Sequence, residues 1–168
     1  RIVKPYFNKI WHGEYAYYYT PPDKVTDKPA LTINGRVAHF THDLFTGYNT
    51  QASVELRTIF SNVLTSLLPE PIIRYENLPS FARVFVTEQP GRKMVHILSY
   101  VPELRGASTE MIEDPVTLNE VKIYLRSDIR PKKVYLAPGK KSLPFRMAGG
   151  YINVTIPAMK GYALLVFE

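Results

Sequence analysis

Residues 72–168 alternate short apolar runs with turn residues, and this pattern restricts the fold more than any other feature of the chain. Val121-Lys-Ile-Tyr-Leu125 spaces its apolar residues two apart, which is the period of a strand with one buried face. Gln89-Pro-Gly-Arg92 separates two such runs and predicts a hairpin. Short strands at this spacing favour an antiparallel β-sandwich. Strands are predicted over 72–75, 83–87, 94–100, 121–125, 133–136, 143–147, 151–156 and 162–167, with a long connection over 105–119.

One amphipathic helix precedes these strands. From residue 50 onward the apolar side chains recur every three or four positions, which places them on one face of a helix. Thr50 is the predicted N-cap, and Pro69 and Pro71 are expected to end the helix. The apolar stripe is predicted to consist of Ala52, Leu56, Ile59, Phe60, Val63, Leu64 and Leu67.

The chain is therefore predicted to be α+β and mainly β. A buried strand over 36–40 follows the turn dipeptide Asn34-Gly35, and a loop over 41–49 is expected to connect it to the helix. We expect two domains. Residues 1–71 would contain an aromatic-rich loop and this partial α/β strand-loop-helix unit, and residues 72–168 would form the C-terminal antiparallel sandwich.

Composition excludes several classes of protein. The chain has no cysteine, so it has neither disulfides nor a thiolate metal site, and its compartment stays open. The net charge is +6, but the basic runs Arg130-Pro-Lys-Lys133 and Lys140-Lys141 lie beside turn residues, which favours solvated loops over nucleic-acid binding. No apolar run approaches the roughly 18 residues of a membrane span.

Because the chain begins at Arg1 without a signal-like segment, we expect a portion of a longer protein.

No group of residues predicts catalysis. His39 and His42 are close in sequence, and His12 could join them in binding zinc or in acid–base chemistry, but their spacing matches no metal signature. A hydrogen-bonded structural role is the favoured interpretation. The carboxylates are scattered, and nucleophile-elbow and phosphate-loop motifs are absent. We therefore predict no catalytic residue, no metal and no cofactor.

The N-terminal aromatic loop is the most specific feature outside the sandwich. Large rings there could stack on the apolar faces of sugars, or they could pack against a missing domain or a second subunit. Both interpretations remain open, with packing favoured. The candidate residues for carbohydrate or interface contact are Trp11, His12, Tyr15, Tyr18 and His42.

Short matches along the chain carry a family resemblance. Pro5-Tyr-Phe-Asn8, Trp11-His12, Tyr19-Thr-Pro-Pro22 and the run 34–40 resemble the end of the amidotransferase-like trimerisation domain of hypothetical glycosyl hydrolase and β-galactosidase-like proteins. In that group a (β/α)₈ barrel precedes this domain, and a small β domain follows it. Val84-Phe-Val, His96-Ile-Leu-Ser-Tyr100, Val154, Ile156-Pro157, Tyr162 and Val166 resemble that closing domain.

The resemblance implies a bacterial protein of carbohydrate metabolism whose catalytic carboxylates lie in a barrel upstream of Arg1. The predicted function is a non-catalytic, structural C-terminal module of a glycoside-hydrolase-like protein. One alternative is a carbohydrate-binding module that uses the Trp/Tyr-rich loop, and a second is a small independent hydrolase with a His cluster. The upstream barrel is the expected partner, a second copy of the chain and a carbohydrate are candidates, and nucleic acid and membrane are not expected.

Overall fold

The structure is a computed structural model that describes residues 3–5 and 22–168. The chain divides into two compact units, Arg1–Pro69 and Glu70–Glu168. In chain order the elements are β1 (Val3–Pro5), β2 (Pro22–Val25), β3 (Leu31–Asn34), β4 (Val37–Phe40), α1 (Leu44–Gln51), α2 (Val54–Leu67), β5 (Ile73–Glu76), β6 (Arg83–Gln89), β7 (Arg92–Leu98), β8 (Glu103–Arg105), β9 (Thr109–Met111), β10 (Thr117–Arg126), β11 (Val134–Ala137), β12 (Lys141–Ser142), β13 (Phe145–Ala148), β14 (Tyr151–Lys160) and β15 (Tyr162–Phe167).

The second unit is an antiparallel β-sandwich, as predicted. Sheet A has the strand order β6-β7-β15-β11-β12, and sheet B has the order β5-β10-β14-β13. The two sheets are joined at the β14–β15 hairpin, where Lys160 pairs with Tyr162. The hairpin predicted at Gln89-Pro-Gly-Arg92 joins β6 to β7. Within the described residues, no helix has the length and apolarity needed to cross a bilayer.

One apolar core lies between the two sheets. Sheet B contributes Ile123, which pairs with Val154 on the neighbouring strand, and both side chains point inward. Sheet A contributes Ile97 and Leu165, and Ile97, Ile123 and Leu165 are completely buried. The period of two in β10 and β14 directs every second side chain to this core, so the alternation in the sequence becomes the layer structure of the sandwich.

The connection predicted over 105–119 is more ordered than expected. Strands β8 and β9 form a small antiparallel hairpin within this part of the chain, with Leu104 opposite Glu110. Gly106 adopts a φ of 69° at the start of the turn. A two-stranded hairpin of exposed residues has no periodic apolar pattern, which explains why the sequence did not predict it.

The strand predicted over 36–40 is present, but the prediction that it is buried is wrong. This segment is β4, which pairs only with β3 among the described strands, in a two-stranded antiparallel hairpin whose turn contains Gly35 at a φ of 56°. Val37 and His39 are exposed, and Ala38 and Phe40 are half-buried. The chain reverses at the glycine instead of entering a larger sheet, so one face of the hairpin stays in solvent.

The loop predicted over 41–49 and the start of the helix also differ. Helix α1 occupies most of that loop, and Asp43 caps it by accepting a hydrogen bond from the Thr46 backbone N–H. Ala52 then adopts a left-handed conformation, with a φ of 51°, and separates α1 from α2. Ser53, not Thr50, caps α2 by accepting from the Leu56 N–H. The helix ends at Leu67, two residues before Pro69, the first of the two prolines that were expected to end it.

The hairpin between the two sheets turns at Gly161, which has a φ of 71°. The Gly161 carbonyl accepts hydrogen bonds from the backbone N–H and the hydroxyl of Ser99, which is buried. A Cβ at this glycine would lie 2.6 Å from the Cζ atom of Tyr100. Glycine is therefore required here for its backbone conformation and for the approach of the tyrosine ring.

Gly161→Ala is expected to lower the free energy of unfolding by about 2 kcal/mol, because it combines left-handed strain with displacement of the Tyr100 ring. Gly91→Ala is the matched control: Gly91 has a φ of 78°, and a Cβ there would meet nothing within 4 Å. The control should cost about 1 kcal/mol from strain alone. Urea unfolding of both variants measures the difference, and equal losses would show that the Tyr100 contact contributes nothing.

Candidate functional site

The predicted contact residues fall mostly outside the part of the chain that the structure describes. Trp11, His12, Tyr15 and Tyr18 all lie between residues 6 and 21, so their contact with carbohydrate or with an interface stays a prediction. His42 is described: it is exposed, and its ring packs edge-on against Phe40 with centroids 5.9 Å apart. This contact is apolar and local, and it assigns no ligand to His42.

The histidines do not form a metal centre in residues 22–168. His39 is exposed on β4 opposite Thr32. Asp43, beside His42, uses its carboxylate to cap α1, and the hydrogen bonds from Thr46 lower the pKa of that carboxyl group. No group of three His, Cys, Asp or Glu side chains that could hold a metal ion occurs among the described residues. The capping role of Asp43 fits the structural interpretation of this segment.

His96 lies on the outward side of sheet A and is fixed by its neighbours. Its Nε2 atom lies 3.1 Å from the Thr87 hydroxyl, and its Nδ1 atom lies 2.9 Å from the Tyr162 hydroxyl. Both neighbours come from adjacent strands of the same sheet. A ring with both nitrogens in hydrogen bonds links three strands, as expected for a structural histidine.

Two carboxylates form similar clusters, one on each sheet. Glu76 of β5 accepts hydrogen bonds from the Lys122 ammonium at 2.8 Å and the Tyr124 hydroxyl at 2.7 Å. Glu168 accepts from the Lys133 ammonium at 2.8 Å and the Tyr135 hydroxyl at 2.7 Å. Each lysine–tyrosine pair is spaced two apart, so both side chains leave the same face of the strand.

These clusters change the pKa of the groups in them. Hydrogen bonds from Lys122 and Tyr124 lower the pKa of Glu76, and the Glu76 carboxylate raises the pKa of both donors. Hydrogen bonds from Lys133 and Tyr135 likewise lower the pKa of Glu168. These clusters were not predicted from the sequence, although the repeated Lys-x-Tyr spacing at 122–124 and 133–135 was a visible signal for the donors. The position of each glutamate depends on strand pairing.

A basic cleft of about 650 Å³ lies at one end of the sandwich. We define the basic cleft by the side chains of Gln89, Arg92, Ile129, Arg130, Pro131 and Lys132, together with Glu168. The β6–β7 hairpin supplies the first two, and the loop between β10 and β11 supplies the next four. Segments about 40 residues apart thus place three cations around one concave surface.

Helix α2 presents a different kind of surface. Of its predicted apolar stripe, Val63 is buried, but Ile59 and Leu64 are 44% and 43% exposed. On α1, Phe45 packs edge-on against Phe60 with centroids 5.1 Å apart, yet Phe45 is 63% exposed. The helix therefore has the amphipathic pattern of a packed helix without the burial that usually accompanies it.

Comparison with solved structures shows that a similar fold forms part of a longer chain in another protein. Neither a family model nor a curated protein sequence matches the chain. α-L-Fucosidase isoenzyme 2 from Paenibacillus thiaminolyticus matches with a TM-score of 0.87 and 26% identity over 99% of this chain and 26% of the fucosidase chain. A cycloisomaltooligosaccharide glucanotransferase from Paenibacillus sp., complexed with cycloisomaltoheptaose, gives a TM-score of 0.45 and 15% identity over 57% of this chain and 16% of that chain, a similarity too low to support an argument.

The chain thus spans about a quarter of the length of the fucosidase that it matches. The part of the predicted resemblance that concerns glycoside hydrolases is supported by this match, because an α-L-fucosidase is a glycoside hydrolase. The relationship to β-galactosidase-like proteins and to their trimerisation domain stays a prediction.

Glu76→Gln is expected to flatten the dependence of thermal stability on pH at both extremes. The lowered pKa of Glu76 means that its contribution is present above its ordinary value of 4.5 and is lost as pH falls through the folded-state pKa. The raised pKa values of Lys122 and Tyr124 mean that their contribution is present below about pH 10 and is lost as pH rises further.

Melting temperatures of the wild type and the variant, measured from pH 2 to pH 11, check this expectation, with the pH window set by the usual values of these groups. Glu110→Gln is the control, because it makes the same charge change on the exposed strand β9. Profiles of the same shape for the two variants would contradict a stabilising role for the Glu76 cluster.

Proposed function

We propose that this chain is a non-catalytic accessory module at the C-terminal end of a larger glycoside-hydrolase-like protein, where it stabilises the assembled enzyme. The observation that carries the proposal is the exposed apolar stripe of α2, with Ile59 and Leu64 more than 40% exposed. The match to one quarter of a fucosidase chain supports the same conclusion.

The first unit lacks the means to stabilise its own helix among the described residues. Isolated helices of about 14 residues are marginal in water, so α2 depends on burial of its apolar face. The buried core cluster consists entirely of residues from the second unit. The remaining strands of the first unit, β1 to β4, form two-stranded ribbons, which are themselves marginal. We infer that another part of the larger protein covers the stripe.

The carboxylates of the sandwich support the non-catalytic assignment. A glycosidase needs one carboxylic acid with a raised pKa as proton donor and a second carboxylate across the scissile bond. Glu76 and Glu168 both have a lowered pKa, because each accepts hydrogen bonds from a lysine and a tyrosine. Glu76 lies on sheet B, whereas Glu168 directly follows β15 of sheet A. A lowered pKa disfavours the protonated form that a general acid needs, which supports a non-catalytic role for these two groups.

Turnover of nitrophenyl glycosides tests the absence of catalysis. We expect the 168-residue chain to hydrolyse neither 4-nitrophenyl α-L-fucoside nor 4-nitrophenyl β-D-galactoside above the rate in buffer, and the longer protein that contains it to hydrolyse at least one nitrophenyl glycoside. Intact mass of the native polypeptide, well above the 19.2 kDa of this chain, is the accompanying measurement. Turnover by the 168-residue chain alone would overturn the proposal.

The double variant Ile59→Glu/Leu64→Glu tests the covered stripe. In the longer protein it should lower the free energy of unfolding by at least about 2 kcal/mol, because two apolar side chains lose their burial and two charges replace them. In the 168-residue chain the same change should have little effect on the melting of the sandwich, since both residues are exposed.

Thr58→Glu/Thr65→Glu is the matched control, because it adds the same charge at two exposed residues on the side of α2 opposite the apolar stripe. It should leave both proteins unchanged. Equal stability of the longer protein with and without the double variant would show that nothing packs on the stripe.

A further inference from the structure

We infer that the basic cleft binds an anionic sugar unit, in which a carboxylate or sulfate group carried on a pyranose ring contacts Arg92, Arg130 and Lys132. The charges of the cleft are sufficient to predict an anionic ligand. The sugar ring as its carrier rests on the proposed function. Binding would be an activity of this chain itself, beyond the structural role proposed above.

The acid that lines the cleft is already neutralised. The Glu168 side chain accepts from the Lys133 ammonium and the Tyr135 hydroxyl, and these hydrogen bonds lower its pKa. Arg92, Arg130 and Lys132 form no ion pair within 4 Å with any described residue. In the 168-residue chain Glu168 also carries the terminal carboxylate, but the three cations still leave an excess of positive charge on a concave surface, which concentrates anions there.

Two of the three cations are held in place before any ligand arrives. The Arg92 Nε atom donates to the Gln89 side-chain oxygen at 2.8 Å, so this hydrogen bond orients the guanidinium and does not involve its two terminal nitrogens. The Arg130 guanidinium lies over the ring of Phe145, 5.1 Å from its centroid. Groups that are already oriented lose less conformational entropy on binding.

The loop that carries Lys132 is also anchored. Its backbone N–H and that of Lys133 donate to the Glu168 carbonyl, which ties the loop between β10 and β11 to the end of β15. Pro131 is buried at the floor of this loop. The backbone of the loop that carries Arg130 and Lys132 is thus fixed to the end of β15.

The shape and lining of the cleft select the class of ligand. A volume of about 650 Å³ falls in the range of small-molecule sites and accommodates one or two sugar rings. Ile129, which is 78% exposed, offers an apolar contact for the C–H face of a ring. No aromatic side chain lines this cleft, and a single-stranded nucleic acid needs such rings for stacking.

Binding to the 168-residue chain by matched sugars tests the inference. D-Galacturonate and D-galactose 6-sulfate are the anionic probes, D-galactose is the neutral control with the same ring, and inorganic sulfate tests the anion without a ring. Titrations followed by backbone amide NMR shifts should give saturable changes at residues 89, 91, 92, 129, 130 and 132, with dissociation constants on the order of 1 mM for at least one anionic sugar. D-Galactose should give none in this range.

The double variant Arg92→Gln/Lys132→Gln should weaken binding about fivefold to tenfold, because it removes two exposed charges. Lys140→Gln/Lys141→Gln is the matched control, since it removes the same charge from a turn outside the cleft, and it should bind like the wild type. Raising the salt concentration should weaken binding of the wild type more than that of the first variant.

The contrary results distinguish the anionic site, the sugar ring as its carrier and the accessory role of the chain. Equal affinity for D-galactose and D-galacturonate, or equal affinities of the two double variants, would overturn the anionic site. Inorganic sulfate that binds as tightly as both anionic sugars would overturn the sugar ring as carrier. No saturable shift with either anionic sugar overturns the inference and leaves the accessory role intact, because that role is tested by turnover and by the stripe of α2.

Discussion

The apolar layer between the two sheets is the interaction on which the described structure of the second unit depends. Ile97, Ile123 and Leu165 lose all contact with solvent there, and each such side chain contributes about 1.5–3 kcal/mol relative to an exposed one. The layer closes because the chain passes from sheet B to sheet A through the hairpin at Gly161. Everything that lies on the outer surfaces, from the carboxylate clusters to the basic cleft, is positioned by this packing.

Three polar clusters on the outer surfaces of the sandwich connect neighbouring strands. Glu76 and Glu168 each connect a lysine and a tyrosine, and His96 connects Thr87 with Tyr162. These hydrogen bonds connect neighbouring strands, and those to Glu76 and Glu168 also lower the pKa of the two carboxyl groups, which favours their charged forms. An accessory role for the sandwich is consistent with polar groups that are satisfied locally.

The first unit is organised differently from the sandwich. Its strands form two-stranded ribbons, and its helices meet at the contact between Phe45 and Phe60 while much of their apolar surface stays exposed. A chain segment with a strong amphipathic pattern and little burial is typical of a domain that is completed by other residues. The similarity to part of a fucosidase chain is in line with the proposal that this chain is one portion of a larger protein.

Much of the fold could be predicted because it depends on neighbours in the chain. The period of two in residues 121–125 predicts a strand and its buried face, and Pro-Gly at 90–91 predicts the hairpin between β6 and β7. The left-handed residue Ala52, which divides the predicted helix region, could not be predicted, since alanine favours helix.

The features of the candidate sites also fall into those that the sequence predicts and those that depend on the tertiary structure. The sequence by itself determined the alternating strands, the apolar stripe of α2 and the absence of a recognisable catalytic motif, because these are local patterns of residue type. Only the tertiary structure decided that Glu76 meets Lys122 and that Arg92 shares a cleft with Lys132. Such partners are about 40 residues apart or more, and their approach depends on strand register and on the order of strands in each sheet, which no local pattern specifies.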